Sequence, residues 1–445
     1  MLKFPSGLYG DVRVEEVWST TAGIILGRLE QYISRHYRAA FLRIWDGRRW
    51  YYSSTTAVDD LQTALDELAS MARPAASIGD DPVVRRFEVN RGSHLLFEGS
   101  HVASVPRQDK ISLLEESCAP LRDRAGVPFW QSYYLDSHRR KTFLSSLGAD
   151  LVFDAQTAGL VAQFEMAHED SRLTESVFTA RESFGELPCL AGALEEKLRK
   201  AGGFVSSSVP VEGGAMPVIL SPFAAGIFAH ESFGHKSEAD FMLGDPAMLS
   251  EWSVGRRVGR EELSIVDDGQ VRGSGFVPYD DEGTKARRTF LVRGGELAGR
   301  LHSVETAAAL REEPTGNARS IGFEYQPIPR MTTTFIEGGA SDFDELLSRV
   351  DRGVYVETVK HGSGLSTFTL APSMSWMIRG GRLAEPVNVS VVTGSVMETL
   401  GRIEGLSDSV ELFSMPTGGC GKHEQHPLPV GFGGPAVLVG SMEVR

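Results

Sequence analysis

The alternation of apolar and polar residues divides the chain into two kinds of segment. At helical spacing, Val58–Arg73 places Leu61, Leu65, Leu68 and Met71 on one face. Ile111–Arg124 and Pro188–Ala201 follow as further amphipathic helices. Period-two patterns mark strands at Asp11–Val17, Ala39–Trp45 and Arg49–Thr55. From Phe129 to Phe184 the alternation predicts an antiparallel meander. Its turns are expected near Asp136–Arg139, Gly148–Asp150, Thr157–Gly159 and Glu169–Arg172. Pro74–Pro82 reads as a loop, and Gly202–Gly214 as a linker.

Beyond the linker the pattern changes. Pro217–Leu220 is a short strand, and Ser221-Pro222 starts a helix, because serine caps the first turn and proline costs nothing there. FAAGIFAHESFGH continues that helix despite Gly226 and Gly234. Strands are then expected at Leu263–Asp267, Thr289–Arg293, Met331–Glu337, Gly353–Val359, Ser366–Ser373, Trp376–Arg379 and Val387–Val392. Glycine usage agrees: residues 1–200 hold 13 of the 48 glycines, so the remainder is rich in turns. The predicted fold class is α+β. A mixed N-terminal domain (1–202) precedes a larger β-rich domain (203–445) that carries the His230 helix.

A 41% hydrophobic and 23% charged composition is that of a globular protein, and no apolar run is long enough to cross a membrane. The N-terminal residues lack the pattern of a secretory signal. A net charge of −14 without a sustained basic stripe argues against direct nucleic-acid binding. Three cysteines make no disulfide framework and fit a reducing, cytoplasmic setting. Cys118 and Cys189 lie in apolar, helix-like contexts and read as core residues, whereas Cys420 stands between glycines.

The sharpest chemical signal is His230-Glu231-Ser232-Phe233-Gly234-His235. A zinc hydrolase needs imidazole donors and a carboxylate beside the bound water, and glutamate after the first histidine supplies that base. The histidines here are five apart rather than four. In a regular α-helix that spacing turns the second imidazole roughly 140° from the first. A π-bulge, or a helix loosened at Gly234, restores both to one side. The alternative is a helix bearing two unrelated histidines.

The wider segment VILSPFAAGIFAHESFGHKSEADF resembles the signature of the TldD/PmbA family of metallopeptidases, matching it at His230, Glu231, Gly234, His235, Glu238 and Asp240. Three further blocks resemble that family in order: Asp280–Ser303, Pro314–Ser320 with Pro327–Phe335, and Cys420–Val439. Thr333 departs from it, standing where the family usually has asparagine. The resemblance implies Cys420 as a third zinc ligand, and thiolate with two imidazoles agrees chemically with a catalytic zinc set. It further implies a peptidase acting on peptides or unfolded and leader-peptide segments, as a homodimer or paired with a paralogous subunit. The alternatives are a non-catalytic peptide-binding or regulatory partner subunit, and a regulator of a DNA enzyme. Glu238 and Asp240 either orient a ligand histidine or form a solvated helix end. His361, His423 and His426 are candidate transition-state donors or spare ligands, with surface histidines as the alternative. Arg330 and Lys422 are candidate anchors for a peptide carboxylate or carbonyl.

Overall fold

A computed structural model describes residues 2–445. Its N-terminal part is built on strands far longer than the sequence pattern predicts. Strands β1 (Tyr9–Ile25) and β2 (Arg28–Trp45) form a hairpin closed by Leu26-Gly27, both at positive φ. β3 (Trp50–Thr55), β4 (Arg91–His94), β5 (Phe129–Ser145), β6 (Asp150–His168) and β7 (Ser171–Arg181) complete a seven-stranded sheet ordered β3-β2-β1-β5-β6. β4 lies parallel to the start of β6, and β7 pairs antiparallel with the rest of it.

The turns expected near 148–150 and 169–172 are present, whereas those near 136–139 and 157–159 are not. In the first of these segments Asp136 and His138, read as turn signals, are buried and paired. Asp136 accepts from Lys110 Nζ at 2.5 Å and from the Tyr134 hydroxyl. His138 meets Asp154 at 3.1 Å, and Asp154 also accepts the Leu96 and Phe97 backbone N–H groups. The strand therefore continues where local polarity suggests a break, because partners distant in sequence satisfy each group.

Three helices accompany this sheet. In α1 (Leu61–Met71), Leu65 and Leu68 are buried as expected, but Met71 at its end is exposed. α2 spans Arg107–Ser117, starting and ending earlier than predicted. α3 spans Ala191–Ser207, so the segment read as a linker is helical through Ser207 and buries Phe204 and Val205. Cys118 is buried, but Cys189 is exposed between buried Leu187 and Leu190, contrary to the core assignment.

The C-terminal part contains two main sheets. A ten-stranded sheet runs from an edge strand, Val359–Gly364, through Thr367–Pro372 to a centre that includes Val437–Val444 and Gly214–Leu220. A six-stranded sheet includes Ile265–Asp268, Thr333–Ile336, Gly431–Gly434 and, at one edge, Glu411–Ser414. Short helices at Pro246–Glu251, Val304–Leu310, Phe343–Ser348 and Val396–Gly401 interrupt what reads as continuous strand and turn. Six or seven residues are too few to impose a visible helical period. The strand expected at 387–392 is instead two, Arg382–Asn388 and Val392–Ser395.

Helix α4 (Pro222–Phe228) packs against strands of both sheets, and Phe228, Phe233 and Trp252 belong to one core with residues of each. Close approach is possible because Gly226 faces Gly433. A Cβ on Gly226 would lie 2.6 Å from the Gly433 Cα.

Candidate active site

The site is assembled by α4 and the turn that follows it. Ser221 caps the helix by accepting from the Ala224 N–H at 3.1 Å, with Pro222 in the first turn, as expected. From Ala229 to Gly234 the backbone widens into a π-helical turn, and His235 N–H donates to the His230 carbonyl. That i→i+5 bond brings residues five apart to the same side. The imidazoles of His230 and His235 lie 5.2 Å apart, centroid to centroid, and both face Cys420. One donor atom from each of the three residues lies within 4.8 Å of the others, and Cys420 Sγ is 3.4 Å from His235 Nε2.

Gly234 permits this turn for a reason other than the one its position suggests. Its backbone is ordinary right-handed helix (φ −57°, ψ −53°). The requirement is space, since a Cβ there would lie 2.0 Å from the Met331 Sδ, and Met331 is fully buried.

Cys420 arrives on a hairpin, Cys420–Lys422 paired with Gln425–Leu428. Gly419, at φ +149°, passes so close to Leu428 that a Cβ would lie 2.5 Å from its carbonyl oxygen. The loop before it leans on the N-terminal sheet, with Pro416 seated against Gly159 of β6, where a Cβ would meet Pro416 at 2.3 Å.

A second layer fixes the donors. His235 Nδ1 meets Glu238 Oε2 at 3.1 Å, which directs Nε2 at Cys420. Glu238 is fully buried rather than a solvated helix end, and it contacts Lys422 Nζ at 3.1 Å. Lys422 also donates to Asp240 Oδ1 at 2.6 Å and to the Pro329 carbonyl at 2.9 Å. Buried Arg330 donates to the Cys420 and Gln425 carbonyls at 2.8 and 3.2 Å. Lys422 and Arg330 thus brace the hairpin; both are buried, and neither lines the cleft described below, where an anchor for substrate is expected. The pattern Cys-x-Lys was the available signal, because it puts both side chains on one side of a short strand.

The three donors and Glu238 are electrostatically coupled to one another. Burial pushes the Cys420 thiol up, but His230 and His235 outweigh it and hold the thiol well below its usual value. Burial lowers the His235 imidazole, yet Cys420 and Glu238 overcome this and raise it to about 10. Burial likewise opposes ionisation of Glu238, and Lys422 with His235 brings it below the usual carboxylate range.

His230, Glu231 and Cys420 line a cleft of about 710 Å³ between the N-terminal sheet and the C-terminal domain. His361 and His426 line it too. His423 does not; it sits exposed at the hairpin turn with φ +51°. Thr333 lies buried away from this cleft, against Gly431. The wall contributed by Phe178, Phe223 and Ile227 carries no signal in the sequence, where they are apolar residues of an expected strand and helix like any others.

Residues 213–445 match the PmbA/TldA metallopeptidase C-terminal domain, and residues 10–73 match domain 1 of the same family. The chain belongs to the PmbA/TldD family. A metalloprotease from Synechocystis sp. is 31% identical over 98% of this chain and 92% of its own length. A zinc metalloprotease TldD homologue from Saccharolobus solfataricus is 32% identical, covering 98% and 96%. Among solved structures, TldE from Thermococcus kodakarensis superposes with a TM-score of 0.75 at 15% identity, over 98% of this chain and 96% of that one. A Thermotoga maritima protein named as a modulator of a DNA gyrase gives 0.78 at 19%, over 99% and 96%. These structures establish the shared α+β fold. No helix among the described residues is long and apolar enough to cross a membrane.

Proposed function

We propose that the protein is a zinc-dependent peptidase acting on extended or unfolded peptide segments. His230, His235 and Cys420 are its metal ligands, and Glu231 is its general base. The observation that carries this reading is the π turn, which puts two imidazoles opposite a thiolate at the wall of a cleft that Glu231 also lines. The donor set fits zinc: two imidazoles and a thiolate converge, and the buried His230 Nδ1 has no hydrogen-bond partner within the protein. Bound zinc supplies Lewis acidity to a water and to the scissile carbonyl.

The chain's own residues supply the rest. Glu231 takes the proton of the attacking water and returns it to the leaving amine. Glu238 holds the His235 tautomer through Nδ1. Strand Val359–Gly364 ends the ten-stranded sheet and runs beside Glu231, where a Cβ on Gly362 would meet Glu231 Cγ at 3.2 Å. Its outer edge suits an added substrate strand, held by main-chain hydrogen bonds.

The test is peptide-library digestion by protein of measured zinc content, with and without chelator. Cleavage should rise and fall with zinc. Inert zinc-loaded protein, or cleavage that survives full chelation, would reject the reading.

A further inference from the structure

Three residues of one helix face line the cleft at regular intervals: Phe223, Ile227 and Glu231. They are four residues apart, so they form a row along α4 and into the π turn. At 1.5 Å per residue, Ile227 sits about 6 Å and Phe223 about 12 Å from Glu231 along the axis. Phe223 is half-buried and belongs to an aromatic group. Its ring centroid is 5.5 Å from Phe432, 5.2 Å from Phe413 and 6.1 Å from Phe178 of β7. Phe178, Phe223 and Phe432 all line the cleft, and both Phe178 and Phe223 also border an adjoining hollow of about 460 Å³. Elsewhere on the cleft wall, Gln131, Gln163 and Thr174 present amide and hydroxyl groups. Tyr133, Val161, Val359, Met415 and Val430 line the cleft as well, so what sets the Phe223 end apart is the meeting of three phenylalanine rings there.

We propose that Phe178, Phe223 and Phe432 form a subsite for one large apolar side chain of the substrate, three or four residues from the scissile bond. This rests on the peptidase reading above. The position follows from lengths: an extended peptide rises about 3.4 Å per residue, so about 12 Å from the base spans three to four residues. The chemical class follows from the lining, since the half-buried Phe178 and Phe223 rings, backed by buried Phe432, gain from covering by another aromatic or branched aliphatic side chain.

The alternative role for these rings is to staple β7 to the C-terminal domain. Ratios of kcat/KM separate the two, because the folded fraction of a preparation cancels between substrates. Zinc-loaded protein is given peptides that differ only in carrying phenylalanine, leucine, alanine or glutamate at each position near the cleaved bond. We expect phenylalanine or leucine three or four residues away to be preferred over alanine by at least roughly 10-fold. Phe178→Ala and Phe223→Ala should each collapse that ratio, and Phe178→Tyr should retain it. A flat profile, or a ratio unchanged in both alanine variants, overturns the subsite. The same peptides are titrated by fluorescence anisotropy against zinc-loaded Glu231→Gln. Selective binding of apolar peptides without cleavage by the native protein would reject the peptidase reading and keep the subsite. Unselective binding with no cleavage would reject both.

Discussion

Glu231 lines the cleft beside His230 and Cys420, and its role can be separated from theirs by one atom. Glu231→Gln keeps size and shape but takes up no proton, so peptide cleavage should fall at least about 100-fold with zinc content unchanged. Native turnover in that variant would remove Glu231 as the base. Gly234 poses a different question, because its dihedrals suit any residue while its surroundings suit none. Gly234→Ala must displace Met331 from a packed core, at a cost of about 1–3 kcal/mol, and loosen the π turn. Lower melting temperature and weaker zinc retention are expected, with partial recovery in Gly234→Ala/Met331→Ala. A double variant no better than the single one would show that backbone freedom, not space, is what glycine provides.

A π turn was one of the readings the spacing left open, since ligands five positions apart do not share a side of a regular α-helix. The cap by Ser221 was legible because its chemistry is local. The turn expected within β5 was misjudged because Asp136 and His138 are satisfied by partners such as Lys110, 26 residues before Asp136, and Asp154 of β6. No local pattern reveals such pairing. Lys422 belongs with these, as its bonds to Glu238 and Asp240 appear only once the hairpin folds over the helix. Lys422→Met should leave Glu238 buried without its cation and release His235 from its set orientation. Zinc affinity is then expected to drop by 10- to 100-fold, the usual cost of losing a group that orients a ligand. Equal affinity in a metal-competition titration would reduce Lys422 to packing. Deleting Phe233 would restore four-residue spacing, but it would also shift His235 relative to Cys420. Loss of zinc is the expected result, read directly by elemental analysis.

Across the whole molecule, buried charges join the N-terminal sheet to the segment around Asp281 and Glu282. Arg13 of β1 meets Asp281 at 3.3 Å, Lys141 of β5 pairs with the same carboxylate, and Arg43 of β2 bridges Asp11 and Glu282, each at 2.9 Å. Burial alone would raise the Asp281 carboxyl, but Arg13 and Lys141 hold it well below the usual range. A depressed folded value stabilises above the unfolded carboxyl value, about 3.9, and that contribution is lost as pH falls through the folded one. Asp281→Asn should therefore cost about 3–5 kcal/mol at neutral pH, as for breaking a buried pair. The gap to the native protein should narrow in denaturant titrations only below about pH 4. A gap constant down to pH 2 would assign the loss to packing. The seat of Pro416 on Gly159 carries a further consequence, for inheritance. A methyl group gained at position 159 would press on the loop that delivers Cys420, although the two residues belong to different halves of the chain. The halves are thus not interchangeable modules. A chimaera joining this C-terminal half to a relative's N-terminal sheet with a bulkier residue at that point should fold yet hold zinc poorly, so drift in one half must be matched in the other.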